Sequence, residues 1–168
     1  MARYNTEAAI TRLKLLARHA FTDWIGQLDP ERFLTLNSNC ATTPSAFRLR
    51  IGKFLARIDR EALGNRFRET PEDRTFLIGY LEQATYWHGH FFLKLPPPMF
   101  DWPDSRLIPI LEGHWKAVIP SGSLDLQIAS LDHVQRAVAR YSTKSWRMHD
   151  FEDRMVISTE FHPSKSVA

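Results

Sequence analysis

Two histidines, His88 and His90, stand two apart in an aromatic-rich run, Tyr86-Trp87-His88-Gly89-His90-Phe91-Phe92-Leu93. On a β-strand, side chains i and i+2 share a face, so the two imidazoles can converge on one metal ion. Upstream, Arg74-Thr75-Phe76-Leu77-Ile78-Gly79-Tyr80-Leu81-Glu82 also reads as a strand, and a loop of about five residues, Gln83 to Trp87, folds it back as a hairpin partner. In that register Glu82 lies nearly opposite His88 and supplies a third, anionic ligand. The alternative is that the histidines are surface or satisfied core residues. A second chemical signal is Tyr141-Ser142-Thr143-Lys144. On a helix Tyr141 and Lys144 are i, i+3 neighbours, which sets an ammonium near a phenolic oxygen. The alternative there is structural: Val134, Val138 and Tyr141 form an i, i+4, i+7 apolar stripe, with the tyrosine in the core.

These residues need elements to hold them. From Thr6 to about Leu28, Ile10, Leu13, Leu16, Ala17, Ala20, Phe21, Trp24, Ile25 and Leu28 recur at helical spacing, giving an amphipathic helix packed on the body and ended by Asp29-Pro30. Arg32-Phe33-Leu34-Thr35-Leu36-Asn37 alternates as a central strand. A helix starts at Thr43-Pro44 or Ser45, with Phe47, Ile51, Phe54, Leu55 and Ile58 on one face and Arg50, Lys53, Arg57 and Arg60 largely on the other. That row of cations suits a phosphate backbone, or is simply a solvated helix face.

Beyond the hairpin, Pro96-Pro97-Pro98 excludes a strand or helix interior and reads as a stiff connector. Asp104 or Ser105 caps a helix to about Val118, with Leu107, Ile110, Leu111, His114 or Trp115, and Val118 buried. Leu124 to Ala129 reads as a strand with Leu124, Leu126 and Ile128 inward. A helix follows from Ser130 or Asp132 to about Lys144 or Trp146, then a short strand within Met148 to Ile157 and a polar tail from Ser158 to Ala168. The order of elements implies one α+β domain: a mostly antiparallel central β-sheet flanked by helices, with residues 1–30 as the packed helix, 31–157 as the chemical body and 158–168 as the tail.

Composition sets outer bounds. A chain of 168 residues with 43% hydrophobic and 24% charged residues fits one globular domain with a real core. A net charge of +3 permits a polyanionic partner without demanding one. A single cysteine, Cys40, cannot form an intramolecular disulfide, and no window has the length of apolar sequence that spans a membrane. The expectation is a cytoplasmic protein with no membrane partner.

In order, Phe33-Leu34-Thr35-Leu36-Asn37, then Glu82 with His88-Gly89-His90, then Tyr141-x-x-Lys144, resembles the three motifs of the rolling-circle replication initiators. Those belong to the His-hydrophobic-His endonuclease superfamily, which also contains relaxases and single-tyrosine transposases. The resemblance spans roughly residues 31 to 146, and it departs at Gly89, where the family usually carries a bulky apolar residue. It implies metal-dependent nicking and joining of DNA through a 5′-phosphotyrosine. Tyr141 and Lys144 would be catalytic, and Glu82, His88 and His90 would hold Mg2+ or Mn2+. Thr35 and Asn37 would lie near the metal or the DNA. Single-stranded or hairpin DNA is the implied substrate, with Tyr86, Trp87 and Phe91 as candidate base-stacking rings. A host helicase and polymerase are the implied partners of a monomer or homodimer. The rival functions are a DNA-binding regulator that keeps the fold without the reaction and a structural zinc protein.

Overall fold

The computed structural model describes residues 30–130 and 154–162, together with Asp23 and Gln27. Apart from Asp23 and Gln27, both helical, the expected first helix lies outside the described residues. So does the expected helix from Ser130 to Trp146 that carries Tyr141 and Lys144, save for Ser130 itself.

Among the described residues the fold is α+β, a five-stranded antiparallel sheet with two α-helices. The strands are β1 (Arg32–Asn37), β2 (Phe76–Gln83), β3 (Trp87–Lys94), β4 (Ser123–Ile128) and β5 (Met155–Ile157), ordered β4-β1-β3-β2-β5 across the sheet. The helices are α1 (Pro44–Leu63) and α2 (Asp104–Val118). Alternation along the strands assigns the faces. Leu34 and Leu36 of β1, Leu77 and Leu81 of β2, and Trp87, Phe91 and Leu93 of β3 join one buried cluster with Phe47, Ile51, Phe54, Leu55 and Ile58 of α1 and Leu107, Leu111 and Trp115 of α2. Both helices therefore cover the same sheet face. The intervening strand residues, His88 and His90 among them, point the other way.

Local chemistry fixes the helix ends. The Thr43 hydroxyl accepts from the Ala46 amide at 3.1 Å and Pro44 opens the helix, a cap and first turn suited to α1. Gly64 ends it at φ 68°, a conformation that disfavours a Cβ. Near that end the buried Asp59 carboxylate accepts from Arg74 Nε at 2.7 Å, from the Thr75 amide at 2.7 Å and from the Thr75 hydroxyl at 2.6 Å. This network ties α1 to the chain entering β2. Trp115 of α2 packs edge-on against Phe47 and Phe54 and donates from Nε1 to the Asn37 carbonyl at 3.1 Å, tying α2 to β1.

Several expectations change in detail. The hairpin is tighter than expected, because β2 runs to Gln83, β3 starts at Trp87 and these two residues pair, leaving only residues 84–86 in the turn. Pro103 occupies the N-cap position of α2, so Asp104 sits in the first turn and bonds Arg32 at 3.1 Å instead of capping. Ile110 and Val118 are half-buried, since Leu107, Leu111 and Trp115 occupy the centre of the stripe. Ile128 is 67% exposed, because it ends an edge strand beyond the core cluster. Within the proline run, Pro97–Met99 form one 3-10 turn. Ser158–Phe161, expected as the start of a polar tail, form another, in which Ser158 is buried and Phe161 packs on the core. The Leu77 amide donates to the Ser158 hydroxyl at 3.1 Å, and Glu160 pairs with Arg48 at 2.7 Å.

Candidate metal centre

The hairpin register pairs Glu82 with His88 and Tyr80 with His90, and on the other side of β3 the register pairs Asn37 with His88 and Thr35 with His90. All six side chains stand on the face away from α1 and α2. Glu82, His88 and His90 each offer one ligand atom such that these atoms lie within 4.8 Å of one another, a group that could hold a metal ion. His88 Nε2 is 3.4 Å from a Glu82 carboxylate oxygen. The imidazole rings are 5.3 Å apart at 84°, so their nitrogens approach a shared point from different directions.

Each ring is also held from behind. His88 Nδ1 lies 3.4 Å from the Tyr86 carbonyl, which can only accept, so a metal bound at His88 Nε2, on the side of Glu82, would leave Nδ1–H as the donor in that contact. His90 Nδ1 is 3.0 Å from the Thr35 hydroxyl. A metal bound at His90 Nε2 would fix Nδ1–H as the donor in that contact, the outer support that metal-binding histidines commonly have. Phe33 stacks on His90 at 6.0 Å and 10°, and Phe92 meets Phe33 edge-on at 5.4 Å. The donor set is one carboxylate and two imidazoles, half-buried. Among the described residues this donor set suits a divalent cation.

Gly89 has a specific packing role on the opposite face. A Cβ built there would fall on the Phe91 ring, and one at Gly79 would fall on Phe91 and the His90 carbonyl. Glycine at both positions lets the Phe91 ring lie across the hairpin. The volume that a bulky residue between the histidines would fill is occupied by that ring, so the core beneath the histidines is closed.

The other expected site residues separate into two places. Thr35 and Asn37 share the face of the cluster. Arg50, Lys53, Arg57 and Arg60 lie on α1, whose apolar side packs on the opposite face of the sheet, and they line a groove there with Ala56, Ala117 and Val118. Tyr141 and Lys144 lie outside the described residues. Trp87 and Phe91 are core residues and do not offer rings to bases, whereas Tyr86 is 45% exposed beside His88. Phe33, Tyr80 and Asp125 also belong to the site face, and the spacing of the histidines does not point to them. Phe33 follows from alternation along β1, but Asp125 comes beside Thr35 only through the non-local pairing of β1 with β4.

Among the described residues no helix is long and apolar enough to cross a membrane. Comparison with protein-family models, with curated proteins and with solved structures gave no match.

Proposed function

We propose that this chain is a DNA-nicking and joining enzyme of the His-hydrophobic-His type, using a divalent metal, Mg2+ or Mn2+, and Tyr141 as nucleophile. The observation that supports this reading most is the convergence of Glu82, His88 and His90 on the sheet face left open by α1 and α2, with Thr35 behind His90. Order along the chain adds to it, since Tyr141 and Lys144 follow the metal residues as in the family that the sequence resembles.

Glu82, His88 and His90 would hold the ion, which supplies Lewis-acid polarisation of a phosphodiester oxygen when bound. Thr35 and the Tyr86 carbonyl orient the two imidazoles. The Tyr141 phenol attacks the phosphorus: a tyrosine O–P bond forms to the 5′-phosphate and the P–O3′ bond breaks. The phenolic proton is balanced by the released 3′-hydroxyl, no water is consumed, and the ester is retained for rejoining. Lys144 orients the phosphate or the tyrosine. The scissile strand must be unpaired to enter, so single-stranded or hairpin DNA is the substrate. Replication, mobilisation and transposition share this chemistry.

The test is incubation of end-labelled single strands with Mn2+ and the parent protein, Tyr141→Phe, Tyr80→Phe and His88→Ala/His90→Ala. A covalent protein–DNA adduct with the parent and Tyr80→Phe, absent from the other two, supports the proposal. Adduct formation by Tyr141→Phe, or none from the parent across a pool of random single strands, overturns it.

A further inference from the structure

Arg50, Lys53, Arg57 and Arg60 follow one another at intervals of three and four residues, so they form a stripe along one side of α1, about 15 Å long at 1.5 Å per residue. With Ala56 and Val118 they line a groove of about 510 Å³ between α1 and α2. Lys53, Arg57 and Arg60 are exposed, and Arg50 is half-buried with its guanidinium on the Thr42 hydroxyl at 3.2 Å. Among the described residues no carboxylate pairs with any of the four, whereas Arg32, Arg48, Arg66 and Arg74 each have one. Of the two acidic residues that flank Arg60, Asp59 pairs with Arg74 at 2.7 Å and Glu61 faces His114 at 3.9 Å. Among the described residues these cations are concentrated and uncompensated by carboxylates.

Besides the four cations, the groove is lined by Ala56, Ala117 and Val118, with no aromatic ring among its lining residues. The aromatic residues of these helices, Phe47 and Phe54 of α1 and Trp115 of α2, are fully buried in the core. A surface for unpaired bases offers rings on which they stack, and this one offers charge alone. Charge without stacking matches a partner whose bases are already stacked inside a duplex and whose outside is phosphate.

We infer that the groove between α1 and α2 is a docking surface for the phosphate backbone of double-stranded DNA, separated from the metal centre by the sheet itself. The choice of DNA rests on the proposed function; the preference for a duplex rests on the groove. The chain would hold paired DNA on its helical face while an unpaired strand lies on the opposite face.

The test is fluorescence anisotropy with a blunt-ended duplex of about 20 base pairs, in EDTA, with salt varied, on the parent, Lys53→Gln/Arg57→Gln and His88→Ala/His90→Ala. Each phosphate contact contributes about 0.9 to the slope of log affinity against log salt. Removing two cations should lower that slope by about 1.8 and weaken binding, while the histidine variant binds as the parent does. Equal affinity and slope in the parent and the Lys53/Arg57 variant overturns the inference. So does tighter binding of a single strand than of the duplex in EDTA, or of an RNA duplex than of a DNA duplex. Matching melting curves of the two variants and the parent exclude a folding defect. Duplex binding without adduct formation by the parent leaves this inference standing and overturns only the nicking proposal.

Discussion

Replacing Thr35 with valine isolates the support behind one metal ligand. Valine matches threonine in shape and strand preference, so β1 keeps its pairing with β3 and β4, and the loss is confined to the hydroxyl 3.0 Å from His90 Nδ1. Stability falls by about 1 kcal/mol, the usual worth of one such hydrogen bond. Metal affinity falls further, because an imidazole without this hydrogen bond is less well oriented for binding and less basic. Outer-shell substitutions of this kind typically cost 10- to 100-fold in affinity, or about 1.4 to 2.7 kcal/mol at 1.36 kcal/mol per tenfold. Titration of Mn2+ followed by the EPR signal of the free ion gives the dissociation constant directly. Thr35→Val should weaken binding by that factor and Thr35→Ser should retain most of it. Unchanged binding would refute the reasoning. Tighter binding would show that His90 ligates through Nδ1 and that Thr35 competes with the metal.

Three further outcomes follow. Gly89→Val forces a side chain onto the Phe91 ring and should destabilise by about 1 to 3 kcal/mol in a urea melt, as overpacking does; Gly89→Val/Phe91→Ala should cost less than the sum of its single changes, and strict additivity contradicts the packing. Asp59→Asn keeps the size of the side chain but leaves Arg74, only 4% exposed in its side chain, without its counter-charge, and a loss of about 3 to 5 kcal/mol is expected from urea denaturation. His114 and His162 are both held below their ordinary value of 6.5, chiefly by burial. Arg57 adds to this and Glu61 opposes it at His114, while Arg74 adds and Asp59 opposes at His162. The unfolded chain therefore binds more protons there, so this contribution is complete above about pH 6.5 and lost as pH falls through the lower folded values. The melting temperature should drop less between about pH 7.5 and 5 in His114→Gln/His162→Gln than in the parent.

The parts of the fold legible in sequence were those set by local periodicity. Leu34 and Leu36 alternate with Thr35 and Asn37, and Phe47, Ile51, Phe54, Leu55 and Ile58 recur at helical spacing, so β1 and the buried face of α1 emerge where the pattern puts them. Glu82 opposite His88 was legible because a hairpin register depends on neighbouring residues alone. What was hidden depends on contacts distant in sequence. Nothing local reveals that Ile128 ends an edge strand or that Ser158 bonds the start of β2. The roles of Gly79 and Gly89 were hidden in the same way, since glycine weakens a strand by propensity and here makes room for Phe91. The separation of the arginine row from the histidines required knowing which face of the sheet α1 covers.

The most direct test of the metal centre counts its nitrogen ligands. Pulsed EPR of Mn2+ bound to the protein carrying 15N-labelled histidine should show two coupled imidazole nitrogens, falling to one in His88→Ala and one in His90→Ala, with weaker binding in Glu82→Gln. Fewer than two coupled nitrogens in the parent, or a count that neither histidine substitution changes, would contradict the account.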